Sequence, residues 1–239
     1  MFSYLPLQKT PPMIYIGNPS VVAVIPDGDI FLSGHFKIVV TSYVEVYDSR
    51  RREWVLHGTI KCRLELPHKA AVLNNSLYMR SCKPDQLLQF DLTSGTWNYV
   101  LPMPECLCTH IFSHDQNIYL VVGQGRRYKS FLSIRVFVLN WIKDRESPNW
   151  REISVLSERD EAFVKFRGNN YVMSYFHAVD RNGLVCLFNN DKTVLLFDVR
   201  KRTWALVPPR PLVRDYPCWY GYATEVGLEI WKSKIAHDF

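Results

Sequence analysis

Three segments of the chain align without gaps: VEVYDSRRREW (44–54), LLQFDLTSGTW (87–97) and VLLFDVRKRTW (194–204). Each carries an apolar run, an aromatic residue, an Asp, and a Trp six positions later, giving the pairs Asp48/Trp54, Asp91/Trp97 and Asp198/Trp204. A fourth copy, RVFVLNWIKDRESPNW (135–150), has Asn140 in place of the Asp and four extra residues before Trp150. A unit that recurs in this way constrains the fold strongly. One short repeat cannot bury its own apolar face, so successive units must stack on one another.

Upstream of each copy lies a second shared pattern, a short apolar run, a turn and another apolar run: VVAVIPDGDIFLSG (21–34), HKAAVLNNSLYMRS (68–81), THIFSHDQNIYLVVG (109–123) and FHAVDRNGLVCLFNN (176–190). The intervening PDGD, LNNS, HDQN and DRNG are rich in Gly, Asn and Asp, which tolerate hairpin-turn backbones. The runs are short, partly alternating, and rich in β-branched and aromatic residues, which reads as strand and not helix. Each repeat is therefore two hairpins, or four strands a to d. Four antiparallel strands recurring every ~40–50 residues describe the blades of a β-propeller, in which neighbours bury both faces of each twisted sheet. The expected fold class is all-β.

Within this scheme the repeated residues have structural tasks. Trp54, Trp97, Trp150 and Trp204 start the outer strand d, where a large ring fills the widening gap between blades. Asp48, Asp91 and Asp198 end strand c, where a short acceptor caps the following turn. These carboxylates are accordingly not read as catalytic.

The pattern of apolar strand, turn, I-Y-V-type strand, variable loop, V-x-x-Y/F-D and Trp six residues later resembles kelch repeats over roughly residues 20–207. The Gly-Gly doublet of that motif is missing; the corresponding positions read LSGH, MRSC, VVGQG and LFNN. In this the chain is similar to the degenerate kelch domains of plant F-box/kelch-repeat proteins. That resemblance implies a kelch-type β-propeller with four recognisable four-stranded blades plus partial blades. It also implies selection of a protein substrate for a cullin–RING ubiquitin ligase. Docking on the ligase adaptor belongs to the family's F-box. Leu5-Pro6 is the sole fragment of its LP-x-E-L-type opening, so adaptor binding is expected only with an F-box outside this chain. At about 50 residues per kelch blade, 239 residues hold fewer than five. The chain is thus expected to be the C-terminal part of a larger protein or a shortened gene product.

The expected organisation is an N-terminal extension over 1–19 and a propeller over 20–239, with repeats at about 20–58, 68–104, 109–154 and 175–211. Two stretches fit the repeat badly. VLSERDEAFVKFRGNNYVMS (155–174) reads either as a short helix, with Ser157 ahead of Asp160 and Glu161 as a capping pattern, or as a decayed hairpin. The tail from Asp215 contains two apparent strands, around Tyr220–Ala223 and Leu228–Trp231, that would complete a blade.

Chemistry leaves few signatures. There is no nucleophile elbow, P-loop or HExxH. Gly123-Gln124-Gly125 is a lone GxG without a following helix, and Asn74-Asn75-Ser76 is a hairpin turn that happens to match a glycosylation sequon. Cys106, Cys108 and His110 would share one face of a strand, but a zinc site draws on a second, distant pair that is absent. Neither a cofactor nor a metal is expected, and no enzymatic activity. Lys and Arg number 29 against 23 Asp and Glu, a surplus of +6 spread along the chain and too small to imply nucleic-acid binding. Six cysteines are too sparse for a disulfide scaffold, and no apolar run approaches the ~18 residues of a membrane span. The expected compartment is cytoplasm, nucleus or both.

Partner contacts are expected on the b–c and d–a loops, which antiparallel order places on one face: GHFKIVVTS (34–42), SCKPD (81–85), GQGRRYKSF (123–131), NNDK (189–192) and PPRPLVRDYPCW (208–219). Arg and aromatic residues are favoured at interfaces. The candidates are His35, Lys83, Arg126, Arg127, Tyr128 and Lys192, followed by Arg214 and Trp219. On the opposite rim, Arg50-Arg51-Arg52 and Arg200-Lys201-Arg202 occupy equivalent c–d turns. They read as solvated turns that keep an outer strand soluble, or, if all six charges converge, as a site for an acidic segment or nucleic acid.

Overall fold

The Asn, Asp and Gly pairs that punctuate the sequence sit where the chain reverses. Asn74-Asn75, Asp115-Gln116 and Asn182-Gly183 all have φ between 44° and 78°. Positive φ at both central residues defines the tight turn whose twist matches that of the strands it joins. The computed structural model describes residues 21–26, 36–40, 45–57, 63–64, 70–125, 131–141, 148–167, 176–188 and 193–207. The chain divides into two compact units, Met1–Met103 and Pro104–Phe239.

Unit 1 holds two sheets. The first runs β1 (Val21–Pro26), β2 (Phe36–Val40), β3 (Glu45–Asp48) and β4 (Glu53–Leu56) in sequential order. The second is β5 (Arg63–Leu64), β6 (Ala70–Leu73), β7 (Ser76–Lys83), β8 (Asp85–Asp91) and β9 (Thr96–Pro102). Its innermost position is shared: β6 pairs the beginning of β7 and β5 its end. Pro67, which has no N–H to offer a ladder, lies in the sequence between the two pieces. Val46 of the first sheet joins Leu77, Met79, Leu88, Phe90 and Leu92 of the second in one core.

Unit 2 repeats the plan. Its sheets are β10 (Cys108–His114), β11 (Asn117–Gly125), β12 (Phe131–Asn140) and β13 (Asn149–Ser157), then β14 (His177–Arg181), β15 (Leu184–Phe188), β16 (Val194–Asp198) and β17 (Thr203–Val207), each in sequential order. All pairings are antiparallel. Such meandering four-stranded sheets are propeller blades in plan. The second strand of the first of them, β11, is buried from Ile118 to Gly123, because both of its faces are covered.

Residues 155–174 include a helix, α1 (Glu161–Arg167). Asp160 Oδ2 accepts the Ser157 N–H at 2.8 Å and the Ser157 hydroxyl at 3.1 Å, tying down the turn that precedes the helix. Phe163 and Phe166, three apart and so on one face, are fully buried among residues of both unit 2 sheets. At ~25 cal/mol per Å2, burying a Phe side chain contributes about 2–3 kcal/mol. Exposed Lys165 and Glu161 pair at 2.6 Å on the opposite face.

Two expectations from the sequence are corrected. The strand that pairs with β1 is β2 at Phe36–Val40, beyond the VVAVIPDGDIFLSG stretch (21–34) expected to hold the first hairpin, and Pro26 pairs with Phe36 in register. GHFKIVVTS is therefore largely strand. Ile38-Val39-Val40 is a better pleated segment than one that ends in Ser33-Gly34. SCKPD likewise forms the tip of a hairpin, not an extended loop, with Cys82 opposite Asp85. Arg80 closes it by a bidentate pair to the Asp85 carboxylate at 2.8 and 2.7 Å. The N-terminal extension and the tail from Asp215 lie outside the described residues.

Candidate functional site

The repeated motif first accounts for the turns. Asp48 Oδ1 accepts the N–H groups of Arg50 and Arg51 at 2.8 and 3.4 Å. Asp91 Oδ1 takes those of Thr93 and Ser94 at 2.7 and 3.1 Å, and Asp198 Oδ1 those of Arg200 and Lys201 at 2.9 and 3.0 Å. Four residues past each Asp the backbone turns left-handed, at Arg52 (φ 56°), Gly95 (φ 67°) and Arg202 (φ 56°). The chain then enters the outer strand, and the Trp lands opposite the aromatic residue that precedes the Asp. Tyr47–Trp54, Phe90–Trp97 and Phe197–Trp204 are register partners with ring centroids 5.2, 4.9 and 4.5 Å apart. Trp150 faces Leu139 instead. Trp204 also reaches the neighbouring sheet, where its Nε1 donates to Ser154 Oγ at 2.8 Å.

The same turns frame a cleft in unit 2. A space of about 330 Å3 opens between the unit's two sheets at the end that carries their tight turns. Seven side chains supply its polar wall: His114 and Asp115 at the β10–β11 turn, Asn117 and Tyr119 from β11, Arg151 from β13, and Arg200 and Arg202 from the β16–β17 turn. Strand alternation aims Tyr119 and Arg151 into it, and the Asp198 cap fixes the backbone that bears Arg200.

His114 is largely covered, with its side chain 8% exposed. Its Nε2 lies 3.0 Å from Asp115 Oδ2 and 3.3 Å from Arg200 Nε. One ring nitrogen cannot donate to a carboxylate and accept from a guanidinium at once. A ring with its proton on Nε2 donates to Asp115, and one that leaves Nε2 bare accepts from Arg200. Burial raises the Tyr119 hydroxyl above its usual value and Asp115 adds to this, while Arg202 and Arg151 pull the other way. The phenol stays protonated and is a donor at neutral pH.

Deeper in the same pair of sheets, His110 Nε2 lies 2.8 Å from Asp180 Oδ1, joining β10 to β14. Cys108 is buried and Cys106 half-buried, and among the described residues no group of three His, Cys, Asp or Glu side chains converges as a metal site. Cys186 is buried, which pushes its thiol up to about 11 and keeps it protonated.

Of the partner-contact candidates, Lys83 ends β7 at the hairpin tip. His35, Arg126, Arg127, Tyr128, Lys192, Arg214 and Trp219 lie outside the described residues. The basic triplets belong to different units. The Arg200 side chain meets His114 and Asp115, and Arg51 lies 3.7 Å from Glu53. Sequence reasoning missed His114, Tyr119 and Arg151. Each looks ordinary in its own strand, and only the register of β10, β11 and β13 beside the β16–β17 turn brings them together.

No protein-family model matches the chain. It is 25% identical over 202 residues to an F-box/kelch-repeat protein of Arabidopsis thaliana, covering 77% of this chain and 48% of that protein. It is 29% identical over 86 residues to F-box only protein 6 of the same plant, covering 33% of this chain and 18% of the relative. The chain thus spans half the length or less of these curated relatives. Among solved structures, YjhT aligns with a TM-score of 0.51 at 11% identity, covering 85% of this chain and 69% of that one. The fold is all-β and of the propeller kind, and the sequence is weakly similar over most of its length to Arabidopsis F-box/kelch-repeat proteins.

Proposed function

We propose that this chain is a partner-binding propeller that selects a protein substrate for an F-box ubiquitin ligase and catalyses nothing itself. The observation that supports this reading is the 202-residue similarity to an F-box/kelch-repeat protein. Three sheets of the chain are built on the same Asp-capped, Trp-paired hairpin, as expected of a repeated propeller blade. The ligase chemistry would belong to other subunits, and the protein would work in cytoplasm, nucleus or both. Substrate contacts are assigned to His35, Lys83, Arg126, Arg127, Tyr128, Lys192, Arg214 and Trp219, with adaptor contact only through an F-box outside this chain.

The test is affinity purification of the tagged full gene product from plant cells, followed by blotting for the ligase adaptor and cullin. Their co-purification is the expected result. Recovery of other partners without adaptor or cullin assigns the propeller to a scaffold unconnected to ubiquitin. Stoichiometric metal in the purified protein would instead point to a propeller enzyme.

A further inference from the structure

We propose that the cleft between the two sheets of unit 2 is an anion-binding site that receives an acidic side chain of a polypeptide partner. This does not rest on the ligase reading, since it concerns the chemistry of one surface of the chain whatever complex contains it.

Charge accounting carries the argument. Four cations elsewhere in the described sheets and helix have carboxylate partners: Arg80 with Asp85, Arg135 with Glu152, Lys165 with Glu161, and Arg167 with Glu158. At the cleft, three arginines face one acid, Asp115, which already lies 3.0 Å from His114 Nε2 and 3.5 Å from Arg200 Nε. Among the described residues neither Arg151 nor Arg202 has a carboxylate or hydrogen-bond partner, and both act electrostatically on Tyr119. Two guanidinium groups beside a protonated phenol are donors without an acceptor.

The shape agrees with the charge. The cleft admits a side chain but not a folded element, and its lining is mostly polar, as suits a charged guest. Arginine forks bind carboxylate or phosphate by paired hydrogen bonds, with Tyr119 as an additional donor. Both anions share this chemistry, as Asp or Glu side chains and as phosphorylated Ser or Thr. The position is set by the fold: Arg202 sits four residues past the Asp198 cap and Arg151 directly follows Trp150, so the repeat itself holds the donors in place.

The experiment measures fluorescence anisotropy of the full chain with three fluorescein-labelled octapeptides, of Glu, of Ser with phosphoserine, and of Gln, and with a labelled single-stranded oligonucleotide. At least one acidic peptide should bind, more weakly as salt rises, and the Gln peptide should not. The better binder identifies carboxylate or phosphate as the preferred anion. Arg151→Gln with Arg202→Gly should weaken that binding by about tenfold or more, as expected for lost charge-assisted pairs. Arg202→Gly suits the left-handed backbone there, and Arg151→Gln alone, at an exposed strand position, should still weaken binding severalfold should the double variant fold poorly. Arg52→Gly, the equivalent turn change in unit 1, should leave affinity unchanged. The proposal is overturned if neither acidic peptide binds, if Arg151→Gln binds as tightly as wild type, or if Arg52→Gly weakens binding equally. Tighter, Arg151-dependent binding of the oligonucleotide overturns it in favour of nucleic acid.

Discussion

His114 Nε2, on the last residue of β10, lies 2.5 Å from where a Cβ on Gly183 would stand. The contact joins the two sheets of unit 2 beside the cleft, and Gly183 itself has φ +78°, a backbone that other residues adopt only under strain. Gly183→Ala should therefore cost roughly 1–3 kcal/mol, from positive φ and from displacing a covered imidazole. Urea denaturation of Gly183→Ala, His114→Ala and the double variant separates the terms. The double variant should recover the steric part and keep the backbone part. Strictly additive losses would mean that the imidazole does not confine this turn.

The Asp-capped turns make a prediction with both signs. Asp198→Ala removes the acceptor for two amide donors and should destabilise by about 1 kcal/mol, the scale of a lost side-chain cap. Arg202→Gly relieves a left-handed non-glycine residue and should stabilise by roughly 0.5–1 kcal/mol, as Gly95 occupies the same place in the second sheet. Chemical denaturation of both variants checks this. Opposite signs are expected, and a loss in both would mean that Arg202 packs more strongly than its φ is strained.

The hairpins were legible where local chemistry and backbone agree. Asn74-Asn75, Asp115-Gln116 and Asn182-Gly183 tolerate positive φ, and the chain turns there. Pro26-Asp27-Gly28-Asp29 carries the same chemistry, yet β1 pairs with a strand that starts at Phe36, because cross-strand pairing of the β-branched run outweighs a turn signal. Phe163 and Phe166 showed only as a short apolar spacing, since their burial depends on both unit 2 sheets. Of the cleft, only the basic Arg200-Lys201-Arg202 turn was legible. Arg151 and Tyr119 alternate like any strand residues, and their meeting with Arg202 comes from the packing of one sheet on the next.

Helix α1 is held by its aromatic face more than by its length. Seven residues are too few for a stable isolated helix. Phe163→Ala or Phe166→Ala should each cost about 3–5 kcal/mol, since both side chains are fully buried. Glu161→Ala, which removes only an exposed pair, should leave stability almost unchanged. Thermal unfolding of the three variants gives the comparison. Equal, small effects would mean that α1 is not part of the unit 2 core.

Asp91 links the repeat to pH. The Ser94 and Thr93 amides, with the Thr93 hydroxyl, hold its carboxyl below the usual carboxylate range. A carboxylate whose pKa is lower folded than unfolded contributes its full stabilisation above the unfolded value and loses it as pH falls through the folded one. Stability should thus decline as the medium is acidified through and below the usual carboxylate range. Asp91→Asn keeps an acceptor oxygen for the turn but has no proton to gain, so its unfolding midpoint should fall less steeply across that window. Above it, Asn should be the less stable of the two, because an amide oxygen accepts from the same N–H groups more weakly. Urea midpoints of the two proteins across the acidic range read the difference directly. Parallel curves would show that the Asp91 charge does not contribute to the turn.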